Sequence, residues 1–123
     1  MAITGLDHIN IYTAKLAETR RFFSEALGLE DGWRPNFGAP GAWLYQDGRA
    51  VVHLVETDAP RAPCEASAVN HFAFGIDDWQ GAVDRLTVAG VAFRTTDVPG
   101  ASIRQIFLTD PNGVAIELNW QPK

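Results

Sequence analysis

Cysteine is almost missing from this 123-residue chain, and the single Cys64 excludes an internal disulfide while fitting a reducing compartment. Its neighbours Pro63 and Glu65 offer nothing that would activate a thiol, so it reads as a bystander. Basic charge is also short. Lys and Arg number 10 against 15 Asp and Glu, a net charge of −5, which argues against a nucleic-acid footprint. No apolar run approaches the ~18 residues of a membrane span. The opening Met1-Ala2-Ile3-Thr4-Gly5 has no basic stretch followed by an apolar core, so the expected location is the cytoplasm. What remains, 46% hydrophobic and 20% charged residues, is the composition of one soluble globular domain rather than a disordered chain.

Histidine is scarce too, with three in the chain, and each stands on a strand-like segment. Residues 5–12 alternate Leu6, His8, Asn10 and Tyr12 against Asp7, Ile9 and Ile11, a half-buried strand. Thr13 is the expected N-cap of a helix through residue 27, stopped by Gly28. A short strand over 29–34 and a Pro- and Gly-rich loop over 35–41 follow. Asp47-Gly48 then reads as the turn of a hairpin, with Val51, His53 and Val55 on one face of its second strand. Residues 56–68 lose the hydrophobic period and read as a linker.

The second half reopens with His71 opposite Phe72, Phe74 and Ile76, then a helix capped by Asp77 or Asp78, ending at Gly90. Strands are expected over 91–98 and 102–109. After the turn Asp110-Pro111-Asn112-Gly113 comes a last strand. Its apolar face is Val114, Ile116, Leu118 and Trp120, which leaves Ala115, Glu117 and Asn119 on the other. An acid inside an apolar strand needs water, a counter-charge or a metal.

The order strand, helix, strand, strand, strand therefore occurs twice. Leu6-Asp7-His8-Ile9 lies over Val69-Asn70-His71-Phe72 at an offset of 63, and Val52-His53-Leu54 over Ile116-Glu117-Leu118 at 64. All three histidines and the one strand acid thus occupy equivalent positions, which points to a divalent metal site made of His8, His53, His71 and Glu117. If the halves pack as symmetric partners, the four side chains converge between them.

This double βαβββ pattern, with Asp7-His8-Ile9 opening, Asn70-His71-Phe72-Ala73-Phe74 reopening and Asp110-Pro111-Asn112-Gly113 before Ile116-Glu117-Leu118, resembles the vicinal oxygen chelate superfamily. That superfamily holds glyoxalase I, fosfomycin and bleomycin resistance proteins, methylmalonyl-CoA epimerase and type I extradiol dioxygenases. The resemblance implies an α+β fold of two tandem modules, about 1–57 and 69–123 with a linker over 58–68, cupped around a metal. It also implies that His8, His71 and Glu117 match the shared ligand set, while His53 stands where glyoxalase I has another glutamate. Zn, Ni, Co, Fe and Mn all suit such ligands.

Lyase or isomerase chemistry on a small-molecule substrate is the favoured expectation, through an enediolate stabilised by the metal, with Glu117 and His53 as the catalytic pair. In an iron-dependent extradiol dioxygenase His53 would instead be an acid/base beside the ligands. A resistance-type transferase or binding protein is a further alternative. Arg34, Trp43 and Arg104 are the candidate substrate contacts, with Trp33 and Phe37 near them. The resemblance also implies a homodimer that exchanges modules. The linker's dozen or so residues can reach roughly 40 Å when extended.

Overall fold

Asp47 and Gly48 carry φ of 48° and 77°, the left-handed pair that a two-residue hairpin requires. They join strands β3 (Gly41–Gln46) and β4 (Arg49–Glu56), the centre of the first sheet. Before them in the chain come β1 (Ile9–Thr13), α1 (Leu16–Glu25) and β2 (Glu30–Gly32). The second half repeats the order as β5 (Phe72–Ile76), α2 (Trp79–Val88), β6 (Arg94–Asp97), β7 (Arg104–Thr109) and β8 (Ala115–Trp120). This is a computed structural model that describes residues 1–122, so Lys123, the expected end of the second module, lies outside the described residues.

Each half forms its own four-stranded mixed sheet, in the orders β1-β4-β3-β2 and β5-β8-β7-β6. The outer pairs β1/β4 and β5/β8 are parallel and the rest antiparallel, because a helix carries the chain from the first strand to the far edge. Register preserves the repeat. Asn10 lies opposite His53 and Ala73 opposite Glu117. Asp78 caps α2 as expected, its side chain accepting from the Gly81 N–H at 2.9 Å. No helix is long and apolar enough to cross a membrane among the described residues.

One core serves both halves: Phe23, Leu44, Val52 and Leu54 from the first pack in one cluster with Leu86, Ile106 and Ile116 from the second. The polar part of the junction is Asn112. It accepts from the Thr13 hydroxyl at 2.8 Å and donates to Thr19 Oγ1 at 3.1 Å and Asp110 Oδ2 at 3.0 Å. Thr13 is therefore not a helix cap that satisfies a free N–H of α1. Its hydroxyl accepts from the Lys15 N–H just before the helix, and its other partners are side chains, Thr19 Oγ1 at 3.0 Å and Asn112 of the second module. The linker also departs from an extended path. Its Cys64 N–H donates to Gly113 O at 3.1 Å, a short 3-10 turn spans Cys64–Ala66, and a Cβ on Gly113 would sit 2.6 Å from Pro63 Cβ.

Candidate metal centre

His8 and His71 stand one residue before β1 and β5, and each is held by the side chain of the residue preceding it. His8 Nδ1–H donates to Asp7 Oδ2 at 2.6 Å, and His71 Nδ1–H donates to Asn70 Oδ1 at 2.8 Å. Both partners are acceptors, so the proton is fixed on Nδ1 and the Nε2 lone pair is free for an ion. The sequence shows Asp7 and Asn70 in the same repeat slot, a signal that an acceptor precedes each candidate ligand. The bond to His8 also holds the Asp7 carboxyl below its ordinary value.

Glu117 is buried with 7% of its surface exposed, and its carboxylate is met by polar side chains. Gln105 on β7 donates to Oε1, and Asn119 donates to Oε2 at 3.3 Å. The Gln105 amide is oriented by the carboxylate, which can only accept, and its own oxygen accepts from Thr96 at 3.2 Å. His71 Nε2 then faces Glu117 Oε2 at 3.6 Å. Two donors on one ion, each at about 2.1 Å, stand roughly 3.0–3.4 Å apart, so this pair fits a shared divalent ion with a small adjustment. A cleft of about 690 Å³ opens beside it, lined in part by His71, Phe22, Phe107 and Ala115. A larger one, about 830 Å³, lies by Asp77, Asp78 and Arg85 and touches none of the candidate ligands.

His53 is arranged differently. Its Nε2–H donates to Ala50 O at 3.1 Å, and its ring is sandwiched between His8 at 3.8 Å and Trp43 at 4.1 Å. The His8 and His53 planes differ by 10°. Imidazole lone pairs lie in the ring plane, so two parallel stacked rings do not aim at one point. Partial burial, then the nearby His8, push the His53 imidazole below its ordinary value and favour its neutral form.

The four candidates therefore come together as two pairs, His8 with His53 and His71 with Glu117, and not as one cluster. Among the described residues no group of three or more His, Cys, Asp or Glu side chains could hold a metal. Within one chain the four side chains do not converge, because the shared core and the Asn112 junction dock the modules another way. Arg104 is also placed away from the site. It pairs with Asp97 at 3.1 Å and lies over Trp79 at 4.0 Å, on the opposite face of β7 from Gln105. Arg34 and Trp43 stay on the His53 side. Gln105 and Asn119 were not singled out from the sequence, since their role depends on the register of β7 against β8.

Residues 5–118 match the family model described as the Glyoxalase/Bleomycin resistance protein/Dioxygenase superfamily. The chain belongs to that superfamily. Within it, the chain is 25% identical to a protein named Glyoxylase I 4 from Arabidopsis thaliana, over 94% of this chain and 70% of the relative. Its fold is that of a putative glyoxalase family protein from Bacillus anthracis, at TM-score 0.81 and 21% identity over 99% and 98% of the two chains. It is likewise similar to the fosfomycin resistance protein FosX of Listeria monocytogenes, at TM-score 0.77 and 20% identity over 98% and 96%. A mutant of that FosX has been crystallised with Mn(II) and 1S,2S-dihydroxypropylphosphonic acid. The superfamily shown by the match is the one the repeat resembles, and the tandem α+β modules are as expected.

Proposed function

We propose that this superfamily member is a divalent-metal-dependent lyase or isomerase whose site is completed by a second copy of the chain. The observation that carries the reading is the division of the donors into two preset pairs that do not meet within one chain. In a homodimer, His8 of one copy and His71 with Glu117 of the other would hold the ion, with His53 against His8. When bound, the ion supplies positive charge to substrate oxygens on adjacent carbons.

The protein's own part is proton handling. Glu117 Oε1 accepts the short bond from Gln105 and Oε2 the longer 3.3 Å bond from Asn119, so Oε2, the oxygen facing His71, is the more weakly held one and would take and return a substrate proton only when released from the ion. Neutral His53 lies one ring away from His8 and can accept at Nδ1, because its Nε2 proton is committed to Ala50 O. The stacking of His53 also supports a second reading, an extradiol dioxygenase with His8, His71 and Glu117 on iron and His53 as acid/base. Oxygen uptake with a catechol by anaerobically iron-loaded protein would select that reading over turnover with Zn, Ni or Co.

The test of the shared site is subunit mixing. Inactive His8→Ala and Glu117→Ala chains form a heterodimer in which one site lacks both ligands and the other regains the full set. Random exchange should restore about a quarter of wild-type activity. No recovery after confirmed exchange, or a metal-loaded monomer by sedimentation, refutes it. Elemental analysis of protein never exposed to a nickel column should find about one divalent ion per chain.

A further inference from the structure

The loop between β2 and β3 presents aromatic side chains that the core does not use. Trp33 is 72% and Phe37 61% exposed, and neither they nor Trp43 joins the buried cluster. Trp33 stands at 90° to Trp43 with ring centres 6.0 Å apart, a right-angled corner, and Phe37 tilts towards Trp43 at 6.1 Å. Exposed apolar side chains on a loose loop would mean little, but this loop is pinned at three places. Tyr45 OH donates to Trp33 O at 2.5 Å, Arg34 Nη1 donates to Ala39 O at 2.9 Å, and the Gly38 N–H donates to Asn36 Oδ1 at 2.9 Å. Preordering of this kind lowers the entropy lost when a ligand binds.

Charge narrows the ligand. Arg34 lies 4.9 Å over Phe37, pairs with no carboxylate among the described residues, and its Nε is buried without a hydrogen-bond partner. A chain with net charge −5 thus keeps an uncompensated cation at an aromatic corner. Gly41 makes room for it, since a Cβ there would come within 2.6 Å of the Arg34 guanidinium carbon. The corner is continuous with the candidate centre, because Trp43 stacks on His53 and His53 on His8.

We propose that the Trp33, Phe37 and Trp43 corner with Arg34 is the specificity subsite of this protein, and that its substrate carries a planar aromatic group and an anionic charge. The link to turnover rests on the metal-site reading above, but binding at the corner does not. A flat ring gains face and edge contact with Trp43 and Trp33 that a saturated ring of similar size cannot match. The guanidinium adds preference for a carboxylate over a neutral head group.

Calorimetric titration of metal-free protein with naphthoate and with its saturated counterpart, decahydronaphthoate, tests the subsite alone. Naphthoate should bind ~10-fold tighter. Trp33→Ala, an exposed position that should not disturb folding, and Trp43→Ala should each shrink that preference to about 2-fold, while Arg34→Gln should weaken both acids. In Zn-loaded protein, mandelate should bind ~10-fold tighter than lactate, which offers the same adjacent oxygens without the ring. Equal binding of the two carboxylates to metal-free protein, or a preference untouched by Trp33→Ala, overturns the proposal. So does dissociation of the dimer by Trp33→Ala, which would make the corner a contact between copies. If instead naphthoate binds as expected but Zn leaves the affinity for mandelate and lactate unchanged, the subsite stands and the metal reading falls.

Discussion

Replacing Asn112 by Ala removes the polar lock between the modules and should cost about 2–4 kcal/mol. The estimate starts from the three side-chain hydrogen bonds that Asn112 makes, to Thr13, Thr19 and Asp110. Each such bond contributes about 1 kcal/mol net, and stranding a buried partner adds to this. Thr13 and Thr19 are 1% and 0% exposed, so water cannot replace the lost amide. The loss is limited because the two hydroxyls still bond each other at 3.0 Å, and Asp110 keeps the N–H groups of Asn112 and Val114. For a domain of this size the melting temperature should fall by roughly 8–16 °C. Urea unfolding of Asn112→Ala, Thr13→Val and the double variant measures both the cost and the coupling, expected to exceed about 0.5 kcal/mol. A single-variant cost below ~1 kcal/mol with no coupling would show that the apolar core alone fixes the docking.

His53→Ala should keep most of the metal and lower the catalytic rate, whereas His8→Ala should lose the metal, because the stacked rings cannot both direct lone pairs at one ion; equal metal loss in the two variants contradicts this. Gln105→Leu should weaken divalent-ion affinity by about 10–100-fold in a chelator competition, since it frees Oε1 of Glu117 and strands Thr96; unchanged affinity would remove Gln105 from the site. Asp110 gives a pH signature. Burial raises its carboxyl above the ordinary 3.8, outweighing the bonds from the Val114 and Asn112 N–H groups. The unfolded chain therefore ionises first, and the folded state loses stability as pH rises from 3.8 through the raised value, then levels off. Asp110→Asn lacks this proton, so its stability relative to the parent should improve across that window, and a flat difference in urea unfolding would contradict the burial argument.

Which features were legible in the sequence follows from the range over which each is decided. Strand faces and turns are set within a few residues, so the Asp47-Gly48 hairpin, the Asp78 cap and the Glu117 face were all readable. Histidine's scarcity made the repeat readable as chemistry, since all three fell on equivalent positions. Arg104 was misplaced by a one-residue parity: its neighbour Gln105 faces Glu117, and Arg104 faces Trp79. That distinction requires the β7 to β8 register, which the β7 sequence alone does not carry. Thr13 fitted a cap by type, but a residue 99 positions away claims its hydroxyl. The same long-range contact decides the largest question. Equivalent positions guarantee that two pairs of donors exist, and module docking decides where they meet. Asn112, read from sequence as part of a turn, joins the modules in an arrangement that leaves the pairs apart, and the linker is drawn onto Gly113 beside it. The turn that launches the Glu117 strand is therefore also part of the junction that holds Glu117 apart from the histidines of its own first module.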